Sequence, residues 1–171
     1  MKSSFGRTFF PAAIILLTAL LLVGTSFRAL VKEYLVDHAM DNLEDDAAAI
    51  ADLAGAYYSE GSLSGRQFLV NLSVASAVSG ADAVICDGSG TLVLCSDAPF
   101  GCEHQGMQIS ADYLARVVSD GVVRSTGFIG QLYDDARYIV SVPVLSSTGD
   151  AVGIVMVSLP TASTMGVLKR I

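Results

Sequence analysis

The chain has 171 residues, 52% of them hydrophobic and 16% charged, which is too apolar for a disordered protein and leaves one domain of ordinary size once an apolar anchor is set aside. Its formal net charge of -7 makes the folded part repel nucleic acid, so a nucleic-acid partner is excluded.

Residues 1–8 carry Lys2 and Arg7 and read as a cytoplasmic N-terminus. Residues 9–27, Phe9 to Phe27, contain no charged side chain. At about 1.5 Å per residue this run just spans a hydrocarbon core of roughly 30 Å, and a single crossing must be helical. Pro11 falls in the first turn, where its missing N–H costs little. Arg28 and Lys32 on the far side weaken the charge bias that sets orientation. Gly24, Thr25 and Ser26 also fit a cleaved signal peptide, although the run exceeds a usual apolar signal core of about 7 to 15 residues. Both readings put the rest of the chain outside the cytoplasm. The anchor reading predicts a cell-membrane protein with a single N-terminal span, an extracytoplasmic domain and membrane lipid as a partner.

Residues 28–60 read as a stalk helix. Val36, Met40, Leu43, Ala47, Ile50, Ala54 and Tyr57 recur at spacings of four and three and form one apolar stripe. The other faces hold Asp37, Asp41, Glu44, Asp45, Asp46 and Asp52. The stripe meets either the domain's own sheet or the same helix of a second copy in a homodimer, and both can hold along different lengths.

The segment Gly61 to Gly65 breaks the helix, and Ser64 can cap a second one running to about Ser76, with Phe68, Leu69, Leu72 and Ala75 on its apolar side. Ala83 to Cys86 and Thr91 to Cys95 flank the turn set Asp87, Gly88, Ser89 and Gly90 and predict a β-hairpin. Ser110 begins a helix through Tyr113, Leu114, Val117 and Val118, and Gly121 ends it. Strands are expected over Val122 to Tyr133, Arg137 to Leu145 and Ala151 to Leu159. The fold class is α+β.

That order resembles the extracytoplasmic PAS-like (Cache) sensor domain of bacterial membrane receptors, most of all sensor histidine kinases. The resemblance is carried by the run from Asp82 to Ser96, by Arg137-Tyr-Ile-Val-Ser-Val-Pro-Val, and by Gly149-Asp-Ala-Val-Gly-Ile-Val-Met-Val-Ser. It implies a five-stranded antiparallel sheet with covering helices over residues 61–160. It also implies a second membrane helix, towards which residues 161–171 start an exit segment, so the chain reads as the N-terminal part of a longer receptor. The implied function is a signal-sensing module of a two-component system, relaying ligand or envelope state across the membrane. Two alternatives are the sensor part of a chemotaxis receptor and a pilin-like structural surface subunit. The pilin reading rests on Gly6 before Arg7-Thr8-Phe9 and is weakened by Pro11, where that family has Glu.

The sequence holds no Gly-x-Ser-x-Gly, His-Glu-x-x-His or Gly-x-x-x-x-Gly-Lys run, so no enzyme activity, cofactor or catalytic residue is assigned. His38 lacks the acidic residue that follows a kinase phosphoacceptor, since Ala39 stands there. Cys95 and Cys102 are expected to form a disulfide in an oxidising exterior, with Cys86 a buried thiol. The competing reading is a metal site of Cys95, Cys102 and His104 with Glu103 or Asp97, whose spacing is looser than paired zinc motifs. The pocket of a PAS-like sheet lies between the sheet and its covering segments. Arg124, Tyr133, Arg137 and Tyr138, on or near the central strands, are the candidate contacts to an unknown small-molecule ligand, a guanidinium being the natural partner of a carboxylate. The plainer alternative is that such alternate strand positions face solvent.

Overall fold

The computed structural model describes residues 4–59, 66–96, 102, 104–129 and 132–162. Its elements are α1 (Ser4–Ser59), α2 (Arg66–Ser79), β1 (Asp82–Asp87), β2 (Leu92–Cys95), α3 (Ala111–Asp120), β3 (Val123–Gly127), β4 (Arg137–Leu145) and β5 (Ala151–Pro160). Two compact units result, Met1–Asp37 and His38–Ile171.

The first unit is the N-terminal part of α1. An 18-residue stretch within it reaches a mean hydropathy of 2.2 with no residue buried, so the helix is long and apolar enough to cross a membrane. Phe9, Phe10, Ile15, Leu21, Leu22 and Phe27 are all exposed, and an apolar helix left uncovered in this way needs lipid or another helix around it. Thr18 and Thr25 return their hydroxyls to the carbonyls of Ile14 and Leu21, at 2.9 Å each, which satisfies these groups without water.

The second unit is built on a five-stranded sheet in the order β2-β1-β5-β4-β3. Every pairing is antiparallel. Val84, Cys86, Ile154, Met156, Ile139, Ser141 and Val123 share one face, because their register partners lie opposite one another across the ladders. This face receives α3 and the loops around it. The other face carries Ala83, Ile85, Val155, Val157, Val140 and Val142, all buried. Helix α2 and the C-terminal half of α1 cover that side, joined to each other by Tyr57 against Phe68 with ring centroids 4.9 Å apart.

The stalk stripe is used mainly by the domain itself. Met40, Leu43, Ala47, Ile50 and Ala54 are buried, so from Met40 onwards the stripe packs on the chain's own core. Tyr34 and Leu30 remain exposed. The proposed break at Gly61 to Gly65, with the cap at Ser64, lies outside the described residues. Helix α3 has the expected ends: Ser110 Oγ accepts from the Tyr113 amide, and Gly121, at φ 77°, donates to the Val117 carbonyl.

One element differs from the expectation over Val122 to Tyr133. β3 stops at Gly127, and residues from Phe128 leave the sheet. As an edge strand, β3 pairs only with β4, and its last pair is Gly127 with Arg137, the first residue of β4. The pairing ends there, and beyond it the Leu132 amide donates to the Ile129 carbonyl at 2.9 Å.

Gly153 sits in the central strand where any Cβ would run into the Cys86 carbonyl oxygen. Gly153→Ala is therefore expected to lower stability by about 1 to 3 kcal/mol through forced strand displacement, read as a depressed melting temperature by circular dichroism. An unchanged melting temperature would show that β1 and β5 are less closely apposed.

Candidate ligand-binding site

The sheet face under α3 carries a cavity of about 520 Å³. Its floor is Leu92, Ser125, Ile139 and Met156, from four different strands. One wall is Met107, Gln108 and Ile109. This wall is held by main-chain bonds: Leu92 donates to Met107 at 2.8 Å, Gly106 to Leu92 at 2.9 Å and Ile109 to Gly90 at 2.9 Å. Gly90, at φ 82°, supplies the left-handed turn that lets the loop lie alongside β2. Ser110 and Tyr113 of α3 form a second side, and Phe128, Ile129 and Leu132 of the segment that left the sheet form a third. The Tyr113 hydroxyl and Ser141 Oγ, 2.7 Å apart, tie α3 to β4.

The start of the wall loop is fixed covalently. The sulfurs of Cys95 and Cys102 are bonded, with Cα atoms 6.1 Å apart. In the chain-entropy picture so short a loop gains about 2 to 3 kcal/mol. His104 Nδ1 lies 3.7 Å from Cys102 Sγ, and ligand atoms of Cys95, Cys102 and His104 fall within 4.8 Å of one another. With the sulfurs bonded to each other they are not thiolate ligands in this state. Glu103 and Asp97, considered as a fourth ligand, lie outside the described residues. The Cys86 thiol is pushed up to about 12, by burial first and by the Asp87 carboxylate second, and stays protonated.

None of Arg124, Tyr133, Arg137 and Tyr138 lines the cavity. Arg124, on edge strand β3, points to the α1 face, where it bonds Glu44 and Asp41 at 2.8 Å each. Those two bonds, Glu44 first, raise its pKa. Tyr138 is buried on the same side, paired with Leu159. Arg137 and Tyr133 are on the cavity side of the sheet but beside the cavity. The Arg137 guanidinium bonds Asp82 at 2.6 Å, Asp135 at 2.9 Å and Ser158 at 3.1 Å, and lies 3.6 Å from the centroid of the Tyr133 ring. Burial works to lower the pKa of Arg137, but the bonds to Asp82 and Asp135 outweigh it and hold the group above its ordinary value.

The residues that do form the cavity were overlooked because their type is ordinary. Ile139 and Met156 read as core, and Ser125 reads as a surface strand residue. The available signal was the buried serine in an apolar strand, Ser141, which marks where α3 docks.

No family model matches the sequence, and no significant match exists among curated proteins. Solved structures do match. The sensor domain of the histidine kinase DctB from V. cholerae has a TM-score of 0.69 at 13% identity, over 85% of this chain and 58% of that one. The DcuS sensor domain of E. coli has a TM-score of 0.63 at 11% identity, over 80% of this chain and 98% of that one. The sensory domain of the Campylobacter jejuni chemoreceptor Tlp3, solved with isoleucine bound, has a TM-score of 0.63 at 12% identity, over 96% of this chain and 66% of that one. The chain thus spans little more than half of the DctB domain and nearly all of the DcuS domain. The fold is that of extracytoplasmic PAS-like sensor domains.

The Arg137 cluster predicts a stability effect. Its side chain is only 8% exposed, so Arg137→Met leaves Asp82 without its cation and is expected to cost about 3 kcal/mol. Denaturant titration checks this, and a loss below about 1 kcal/mol would assign the cluster a surface-like role.

Proposed function

We propose that the chain is the extracytoplasmic signal-sensing module of a membrane-bound receptor, in which a small molecule in the cavity beneath α3 is the signal. The observation carrying this reading is a cavity of about 520 Å³ in a fold shared with sensor domains. That size falls within the roughly 300 to 1,000 Å³ of small-molecule sites. A pilin-like subunit has no use for such a cavity.

The proposed route of the signal is α1. The helix that buries Met40, Leu43, Ala47, Ile50 and Ala54 in the domain is the one whose earlier residues are apolar enough to span lipid. A ligand that binds one arrangement of sheet and helix better than another shifts their populations by its difference in affinity. Exposed Leu30 and Tyr34 are the proposed contact with α1 of a second copy, because the stripe beyond Met40 is taken up by the domain. The module has no catalytic role in this reading, and a histidine kinase is the proposed parent. Chemoreceptor domains among the similar structures support a second reading, a chemotaxis receptor, with the same sensory half.

Two experiments test the proposal. In a thermal-shift screen of the full chain against defined envelope metabolites, a true ligand at about 100 times its Kd should add about 2.7 kcal/mol of stability. Ile139→Trp, and separately Ser125→Phe, fill the cavity and should abolish the shift. A shift that survives both variants places binding elsewhere, and no shift with any compound removes the sensory reading. In membranes, Leu30→Cys should give a disulfide-linked dimer under mild oxidation, and its absence would remove the stalk dimer.

A further inference from the structure

We infer that the molecule received by this cavity is uncharged and predominantly apolar, with a single hydroxyl, amide or carbonyl group. The inference rests on the cavity being the sensory site and goes on to name the chemistry it accepts.

No residue lining the cavity carries a charge among the described residues. The shortage of cations extends to the whole domain. Between His38 and Ala162 the sequence contains four of them, Arg66, Arg116, Arg124 and Arg137. Arg66 opens α2, which packs with α1 on the other side of the sheet. Arg124 is on that other side as well, held by Asp41 and Glu44. Arg137 does not line the cavity, and its Nε and Nη1 are engaged by Asp135, Asp82 and Ser158. Arg116 is exposed on α3, with its guanidinium 5.3 Å from the centroid of the Tyr113 ring. Residues 97–101, 103 and 130–131, which lie outside the described residues, contain no Lys or Arg in the sequence.

A carboxylate or phosphate buried without a charged donor pays a desolvation cost of several kcal/mol per ion. What the cavity supplies is apolar surface from Ile139, Met156, Leu132 and Met107, with Ser125 and Gln108 as neutral hydrogen-bonding groups. Those two can satisfy one polar end. The Tyr113 hydroxyl is already bonded to Ser141. A zwitterion such as an amino acid presents a carboxylate that no cation here meets, so the isoleucine seen in Tlp3 is not a guide to this cavity.

The test compares two molecules of one size that differ in charge, octanamide and octanoate, with L-isoleucine as a third. The chain has no tryptophan, so Phe128→Trp in the full chain, held in a tryptophan-free amphipathic polymer, gives a single reporter at the cavity. Octanamide should shift the emission saturably, with octanoate at least about tenfold weaker, which corresponds to about 1.4 kcal/mol, and isoleucine without effect. Adding Ser125→Arg should reverse the order of amide and acid. Adding Ile139→Phe should remove the response, and a response that persists there is partition into the polymer and overturns the inference. Octanoate or isoleucine binding as tightly as octanamide overturns the neutral class but leaves the sensory site standing. No saturable response to any of the three overturns the inference, while a shift from another compound in the thermal screen would still leave the sensory site standing.

Discussion

Strand β5 lies between β1 and β4, so its backbone is committed to two ladders and its side chains must be buried on both faces. Gly153 to Ser158 are all buried. Two helical layers are then obligatory, because a sheet apolar on both sides cannot leave either face to water. α1 and α2 cover one face and α3 with its flanking loops the other. α3 is only 10 residues long and buries just Val117 fully. It is too small to cover its side of the sheet, and the cavity is the space it leaves.

The distribution of charge follows from the same layering. Arginines at the sheet's margins reach carboxylates of neighbouring elements: Arg124 ties β3 to α1, and Arg137 ties β4 to β1 and to the turn before it. Arg137 is the more consequential, since it is nearly buried and lies under three acceptors and an aromatic ring. Exposed pairs such as that of Arg124 guide the placement of the helix more than they stabilise it. Neither guanidinium lines the cavity, whose described lining offers apolar contacts and neutral polar groups. The lining of the cavity among the described residues is accordingly uncharged, although the chain as a whole is acidic.

α1 changes character along its length. Its early residues are apolar on all sides, and its later ones are apolar on one stripe only. The charge-free run ends at Phe27, ahead of the compact domain that begins at His38. From Met40 onwards the apolar stripe that could have formed a long coiled coil is buried in the domain, whereas Leu30 and Tyr34, earlier in the helix, are exposed.

The sequence alone determined what depends on neighbours along the chain. The apolar run, the stripe on α1, the Asp87 turn, the Ser110 and Gly121 caps and the five strands all rest on local sterics, capping and periodicity. It leads to the expectation that Cys95 and Cys102, seven positions apart, pair in an oxidising exterior. Only the tertiary structure decided which side of the sheet each residue occupies. The side-chain period in a strand is two, so Arg124 and Ser125 face opposite ways, and the register with β4 alone sets which of them meets the cavity. The end of β3 was settled likewise, by where β4 begins. Whether an arginine is free for a ligand depends on carboxylates up to 83 positions away, and no local pattern records that.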